Sequence, residues 1–131
     1  MLTTNPKETD MLESILILLV LLQIKHWYVD FVNQNDSEIK SKGIYGDRLG
    51  LNHSFKHGMG TTLCVVLATN LWYIPFAIIM GVIDSMIHYH IDWVKSNYGR
   101  KDITQKVFWI DIGLDQMAHQ LTYIGIAYLV S

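Results

Sequence analysis

The chain has 131 residues, of which 50% are hydrophobic and only 17% charged. Soluble domains carry roughly a quarter charged residues, so this chain is short of surface charge, and its length fits one domain, 1–131. With 10 Lys and Arg against 12 Asp and Glu the net charge is −2, which excludes a nucleic-acid-coating protein and predicts no direct groove binding. The single cysteine, Cys64, excludes an internal disulfide framework and a multi-cysteine zinc site.

Four apolar segments follow in chain order. The first covers about 11–33 and contains the unbroken apolar block Ile15 to Leu22. Its flank carries Glu8, Asp10 and Glu13 against Lys7, and no small-x-small cleavage site follows, so it reads as a spanning helix rather than a signal peptide. Residues 34–52 form a polar connection with three glycines. The second helix covers about 52–73 and turns a tight corner, near 70–75, into the third at about 74–95. Pro75 suits the first turn of that helix, where its missing N–H costs nothing. A charged loop, 95–106, leads to the fourth helix at about 107–130. Each segment is near 20 residues, the length that crosses a hydrocarbon core of roughly 30 Å. The expectation is an all-α integral membrane protein, an antiparallel four-helix transmembrane bundle. A soluble bundle with unusually apolar helices is the alternative.

The cations set the topology. Lys40, Lys42 and Arg48 lie in the first polar connection, with Lys25 and Lys56 just inside the helices; Lys95, Arg100, Lys101 and Lys106 lie at the second. The other side has Lys7 alone. The positive-inside tendency places both loops in the cytoplasm and both termini outside the membrane. Trp27, Trp93 and Trp109 then fall at the cytoplasmic interface, Trp72 and Tyr73 at the outer one.

Histidine and aspartate recur at a spacing of four in all four helices: His26 and Asp30; His53 and His57; Asp84, His88 and Asp92; Asp111, Asp115 and His119. That spacing puts each set on one helix face. His90 is out of step and points elsewhere. Stacked antiparallel, all ten fall in the cytoplasmic half, with Asp84 and His119 deepest and Asp30, His53, Asp92 and Asp111 nearest the surface. An ionised carboxylate at this depth costs at least a few kcal/mol. Lys95 is the one cation expected nearby, so a divalent transition metal, one or two ions, would neutralise much of the set. Imidazole with carboxylate suits zinc or manganese, and also iron or nickel, better than calcium or magnesium. A metal-free proton path and simple polar packing between helices are the other readings. Cys64 reads as core, and Gly58 and Gly60 with Thr61 and Thr62 as a close helix contact.

Four motifs stand in order: H-x-x-x-D-F-x-x-Q (His26, Asp30, Phe31, Gln34), H-x-x-x-H (His53, His57), H-x-x-x-D-x-x-K (His88, Asp92, Lys95) and D-Q-x-x-H (Asp115, Gln116, His119). In these the chain resembles small bacterial and phage integral membrane proteins of the domain-of-unknown-function family thirty-three-oh-seven, over about residues 14–130. The resemblance implies that His26, Asp30, Gln34, His57, His88, Asp92, Lys95, Asp115, Gln116 and His119 form the functional set. It implies no reaction. Asp84, Asp111 and the hydrophilic run Asn33 to Asp36 depart from the pattern.

Two functional classes follow. In the first, the chain is a membrane-embedded metal-dependent hydrolase acting on a phosphate-containing or lipid substrate at the cytoplasmic face. His26, Asp30, His57, His88, Asp92, Asp115 and His119 are its candidate metal ligands, and Asp30, Asp92, Asp115 and Lys95 its candidate catalytic groups. Gln34, Lys95 and Gln116 would bind the anionic ligand, and His53, Asp84 and Asp111 would stand around the centre. Membrane lipids are the surrounding partners, and a homo-oligomer is compatible with the sequence. In the second class the chain is a non-enzymatic membrane effector or a metal or proton translocator. Transport needs polar groups in the outer half, where Thr69, Asn70, Gln120 and Thr122 are the candidates.

Overall fold

The computed structural model describes residues 6–69 and 74–131, and among them every regular element is helical. Helix α1 (Pro6–Trp27) runs straight into a single π-helical turn, Tyr28–Val32. A short helix α2 (Asp36–Ser41) follows, then α3 (Arg48–Thr69), α4 (Ile74–Tyr98) and α5 (Lys106–Val130). The four long helices match the four apolar segments. The expected corner residues 70–73, with Trp72 and Tyr73, lie outside the described residues. Helix α1 packs on α3, α3 on α4, α4 on α5, and α5 back on α1, closing a four-membered ring.

The polar connection 34–52 is not all loop. Asn35 caps α2: its Oδ1 accepts from the Glu38 N–H at 2.9 Å, and Glu38 Oε2 accepts from the Asn35 N–H at 3.3 Å. This reciprocal capping box is encoded by an acidic residue three positions after the cap. The hydrophilic run that departs from the family pattern therefore starts a helix. Lys56 of α3 donates to Glu38 Oε1 at 2.6 Å and ties α2 to the bundle. Burial raises the Glu38 carboxyl, but the Lys56 ammonium and the Asn35 N–H outweigh it and hold it below its ordinary range. Helix α3 then begins at Arg48, one turn earlier than the apolar pattern implies.

Helices α3 and α4 approach most closely at Gly58 and Gly81. A Cβ on Gly58 would stand 2.6 Å from the Gly81 carbonyl, and one on Gly81 would collide with the Gly58 carbonyl and Thr62 Oγ1. Gly60 makes room for the Lys25 stem, since a Cβ there would meet Lys25 Cγ at 2.6 Å. The expected close glycine–threonine contact is present, with a lysine using part of it.

The ring has two unlike ends. Away from the connections, Leu18, Leu22, Cys64, Val65, Met80, Tyr123 and Ile126 pack into an apolar core. Toward the α2 end the interior is polar, with Lys25, His26, Asp30, Lys42, His53, His57, Asp84, His88, Asp92, Asp115 and His119 all buried. The outward faces reverse the soluble pattern. Leu16, Ile17, Val20 and Ile24 on α1 are exposed, as are Phe55, Met59, Leu63 and Leu67 on α3. So are Ile78, Ile79 and Val82 on α4, and Leu114, Met117, Leu121 and Ile124 on α5. By length and composition two helices, Lys7–Val32 and Ile74–Tyr98, could cross a membrane. The inward His, Asp and Gln residues of α3 and α5 lower the hydropathy of those two helices.

Candidate metal centre

The π-helical turn carries Asp30, a candidate ligand, into the buried interior of the ring. Wide turns of this kind recur at functional sites. Here His26 and Asp30 still face each other across one turn, with Nε2 to Oδ2 at 3.3 Å, and the Gln34 amide closes the turn by donating to the Asp30 carbonyl at 2.8 Å.

The deepest polar layer is built around Lys25. Its ammonium donates to Asp84 Oδ2 at 2.8 Å, to the Tyr123 hydroxyl at 3.1 Å and to His57 Nδ1 at 3.3 Å. An ammonium has three donors and no acceptor, so these three partners use it fully and His57 Nδ1 must accept. The His57 proton then sits on Nε2 and is donated to Asp30 Oδ1 at 3.3 Å. Thr61 donates to Asp84 Oδ2 at 2.6 Å. Tyr123, whose oxygen already accepts from Lys25, donates to His26 Nδ1 at 2.8 Å, and His26 Nε2 donates to Gln116 Oε1 at 3.0 Å.

One turn nearer the α2 end the rings stack, His57 on His88 at 3.5 Å between centroids and His88 on His119 at 4.2 Å. Above them lie the remaining carboxylates. Asp30 Oδ1 also accepts from His53 Nε2 at 2.9 Å. Asp92 Oδ2 lies 2.8 Å from Lys42 Nζ and 3.2 Å from His88 Nε2, and Asp92 Oδ1 lies 3.7 Å from His119 Nε2. Asp115 Oδ1 is 3.6 Å from His119 Nε2, while Asp115 Oδ2 accepts from the Gln116 amide at 3.0 Å and lies 3.7 Å from Lys95 Nζ.

The buried polar atoms without a hydrogen-bond partner concentrate here: His88 Nδ1 and Nε2, His119 Nε2 and Asp115 Oδ1. Buried polar groups are nearly always paired, because an unmade bond costs about 1–3 kcal/mol. Three overlapping groups have ligand atoms close enough to share a metal ion: His26, Asp30, His57 and His88; Asp30, His53, His88 and Asp92; Asp92, Asp115 and His119. Atoms bound 2.0–2.2 Å from a tetrahedral ion lie roughly 3.4 Å apart. The 3.6 and 3.7 Å separations of His119 from Asp115 and Asp92 are too long for hydrogen bonds and close to that spacing.

All four motifs thus converge on one interior, on a fold of four ringed helices. The family model described as "Protein of unknown function (DUF3307)" matches residues 17–131. The chain belongs to this family. No curated protein and no solved structure matches it.

Several placements within this DUF3307 chain differ from expectation. Asp111 stands outside the cluster, accepting from the Arg100 N–H at 2.9 Å. Asp84 joins none of the three groups because Lys25 and Thr61 hold it. His119 lies level with His88 rather than with Asp84, since it stacks on His88 and reaches Asp92 and Asp115. Gln116 has both ends of its amide engaged inside the cluster. Lys95 is not the sole nearby cation: Lys25 and Lys42 are both buried among the carboxylates. His90 points away, as expected, and meets Tyr45.

Lys25, Lys42, Thr61 and Tyr123 also stand in these polar layers, and the His/Asp pattern did not single them out. Three of them carried a signal. Thr61 stands four after His57, and Tyr123 four after His119, so the spacing of four continues one rung deeper on each helix. Lys25 directly precedes His26. Lys42 had none, because its position depends on how α2 folds back.

Proposed function

We propose that this chain is a four-span membrane protein whose polar end holds one divalent transition metal, and that it hydrolyses a phosphate ester at the cytoplasmic face. The exposed apolar faces on all four long helices, around a polar interior, support four spans; contiguous exposed apolar surface of this extent marks a membrane or partner contact. Lys/Arg-rich connections at the α2 end favour the cytoplasmic side for that end and the outside for both termini. Tyr45, exposed in the first connection, is the position to test: a cysteine there, with Cys64 replaced, should label from the cytoplasm only. Labelling from outside would refute the orientation.

The observation that carries the metal reading is the set of unpartnered atoms at His119, Asp115 and His88. Charge supports one ion. Four buried aspartates face two buried lysines, which leaves two negative charges, the complement of one divalent cation. Asp92, Asp115 and His119 are assigned as ligands, and zinc or manganese suits this mixture. His26 and His57 carry Nε2 protons already donated to Gln116 and Asp30, so they are assigned to positioning. Three protein ligands leave a position open, as catalytic sites do. A bound divalent ion supplies water activation and polarisation of a phosphoryl oxygen.

In the proposed reaction a water oxygen forms a bond to phosphorus and the ester P–O bond breaks. His88, with no hydrogen-bond partner at either ring nitrogen, takes the water proton and returns it to the leaving alkoxide. Lys95 compensates charge on the phosphate. Asp30 is a poorer base because His53 and His57 already donate to it.

The translocator reading is less well supported. A route outward would cross Leu18, Leu22, Val65, Met80 and Ile126, each 2% exposed or less. Thr69 and Thr122 bond to their own helix carbonyls, Gln120 is exposed, and Asn70 lies outside the described residues.

The test is elemental analysis of protein purified in detergent without a metal-affinity tag, followed by phosphate release from phosphatidic acid micelles. About one equivalent of metal is expected, with release lost on chelation and restored by zinc or manganese. A folded, metal-free preparation that still releases phosphate would overturn the metal reading, and a metal-loaded one that never does would overturn the hydrolase.

A further inference from the structure

A cavity of about 690 Å³ opens between α4 and α5 and reaches Asp115, one of the assigned ligands. It is chemically two-ended. Ile87, Ile91, Val94, Leu114 and Ala118 form its apolar walls. Lys95, Arg100 and Asp111 close the end near the 99–105 connection. The Arg100 guanidinium is weakly engaged, 3.5 Å from Asp111 Oδ2 with its side chain 60% exposed, and Lys95 is 37% exposed.

We propose that this groove binds the headgroup and one acyl chain of a phosphate-bearing membrane lipid, so that the substrate enters sideways from the bilayer rather than from water. The inference rests on the hydrolase reading for the fate of that lipid, but not for its binding. Length is the first support. From Met86 to Tyr98 the groove follows 13 residues of α4, roughly 18 Å at 1.5 Å rise per step. One leaflet of a bilayer is about 15 Å deep, half of the roughly 30 Å core. A chain lying along the groove therefore spans its own leaflet and no more.

Charge is the second support. The two cations sit at the end where the helices leave the apolar zone, which is where a lipid phosphate lies. Lys95 Nζ is 3.7 Å from Asp115 Oδ2, and Arg100 meets Asp111, one helical turn from Asp115. A phosphate held by Lys95 and Arg100 therefore stands beside the assigned metal ligands. Asp111 would be displaced from Arg100 as the phosphate arrives, and it sets a limit on affinity. The second groove, between α3 and α4 at Gly58 and Gly81, has similar apolar walls but no cation among its lining residues. It lacks a headgroup site.

The experiment is native mass spectrometry of the full chain, released from detergent micelles doped with dioleoyl phosphatidic acid and kept metal-free with a chelator so that binding is read without turnover. Glycerol 3-phosphate and dioleoylglycerol are the probes that carry only the headgroup or only the chains. Phosphatidic acid should bind at least tenfold more tightly than either. Arg100→Ala should weaken it about fivefold, the effect of removing one basic residue from an anionic lipid surface. Leu114→Trp should fill the groove and weaken it tenfold or more. Leu114 is 53% exposed, so the change leaves the core intact, and Val94→Trp on the facing wall should repeat the result. Equal binding of glycerol 3-phosphate, or tryptophan variants that fold and bind lipid as the parent does, would overturn the proposal. Selective lipid binding without phosphate release would leave the groove standing and remove the hydrolase; phosphate release from soluble esters alone would do the opposite.

Discussion

Two buried polar clusters lie one to two helical turns apart in this bundle, and they differ in how completely they are satisfied. Around Lys25 every donor of the ammonium has an acceptor, in Asp84, Tyr123 and His57. In the other cluster His119 approaches Asp92 and Asp115 without forming hydrogen bonds, and His119 Nε2, Asp115 Oδ1 and both ring nitrogens of His88 lack hydrogen-bond partners. A fully satisfied network rigidifies a fold, whereas a partly satisfied one is costly unless something else completes it. The first cluster therefore reads as the platform and the second as the site.

Breaking the platform should have the largest effect. Lys25→Ala or Asp84→Ala strands a buried charge, and each should destabilise the protein by about 3–5 kcal/mol. Lys25→Met with Asp84→Leu removes both charges and should recover much of the loss. Thermal unfolding in detergent reads all three, and a single variant as stable as the parent would contradict the platform assignment. Asp115→Asn probes the other cluster. It should reduce metal occupancy at least tenfold, since even residues behind the ligands change affinity 10–100-fold. The metal-free protein should change stability by less than about 1 kcal/mol, because Asp115 Oδ1 has no hydrogen bond to lose and the asparagine carbonyl can still accept from the Gln116 amide. Comparable unfolding penalties at Asp84 and Asp115 would erase the distinction.

Between these sits the helix contact on which both clusters hang. Gly81→Ala places a Cβ against the Gly58 carbonyl, so α3 and α4 must separate. Overpacking of this kind should cost about 1–3 kcal/mol in the unfolding midpoint. It should also lower metal occupancy, since α3 carries His53 and His57 and α4 carries His88 and Asp92.

The contrast was half legible in the sequence. Spacing of four placed His and Asp on one face of each long helix, and short connections required neighbouring helices to be antiparallel, so convergence followed. What distinguishes the clusters is not periodic. Asp84 and Asp115 look alike in sequence, and only the arrival of Lys25 and Thr61 from α1 and α3 makes one satisfied. Lys42 reaches Asp92 through α2, whose capping box was readable at Asn35 and Glu38, but whose fold-back depends on Lys56 of a later helix. The π-helical turn at Tyr28–Val32 left no mark in the residue pattern, although it carries the Asp30 carboxylate to within reach of His53 on α3 and His88 on α4.

The smallest expected effect concerns that fold-back, and it connects the surface to the site. Glu38 has a carboxyl held below its ordinary value of 4.5, so the stability it adds is fully present above that value and is lost as the pH falls through the lowered one. Protonation weakens its bond to Lys56, which is worth less than about 1 kcal/mol for a partly exposed partner. Hydrogen exchange at the amides of residues 36–42 should therefore speed up on acidification below 4.5, beyond its intrinsic change with pH. Lys56→Ala should show the faster exchange already at neutral pH. Lys42 sits at the end of this segment, 2.8 Å from Asp92 Oδ2. Opening of α2 then removes a cation from the cluster and leaves the Asp92 carboxylate without that partner, which raises the cluster's pull on a metal cation. In Lys56→Ala metal should accordingly bind more tightly, by a few-fold, while exchange in the α3–α4 contact stays as in the parent. Unchanged metal affinity with faster α2 exchange would separate the cap from the centre.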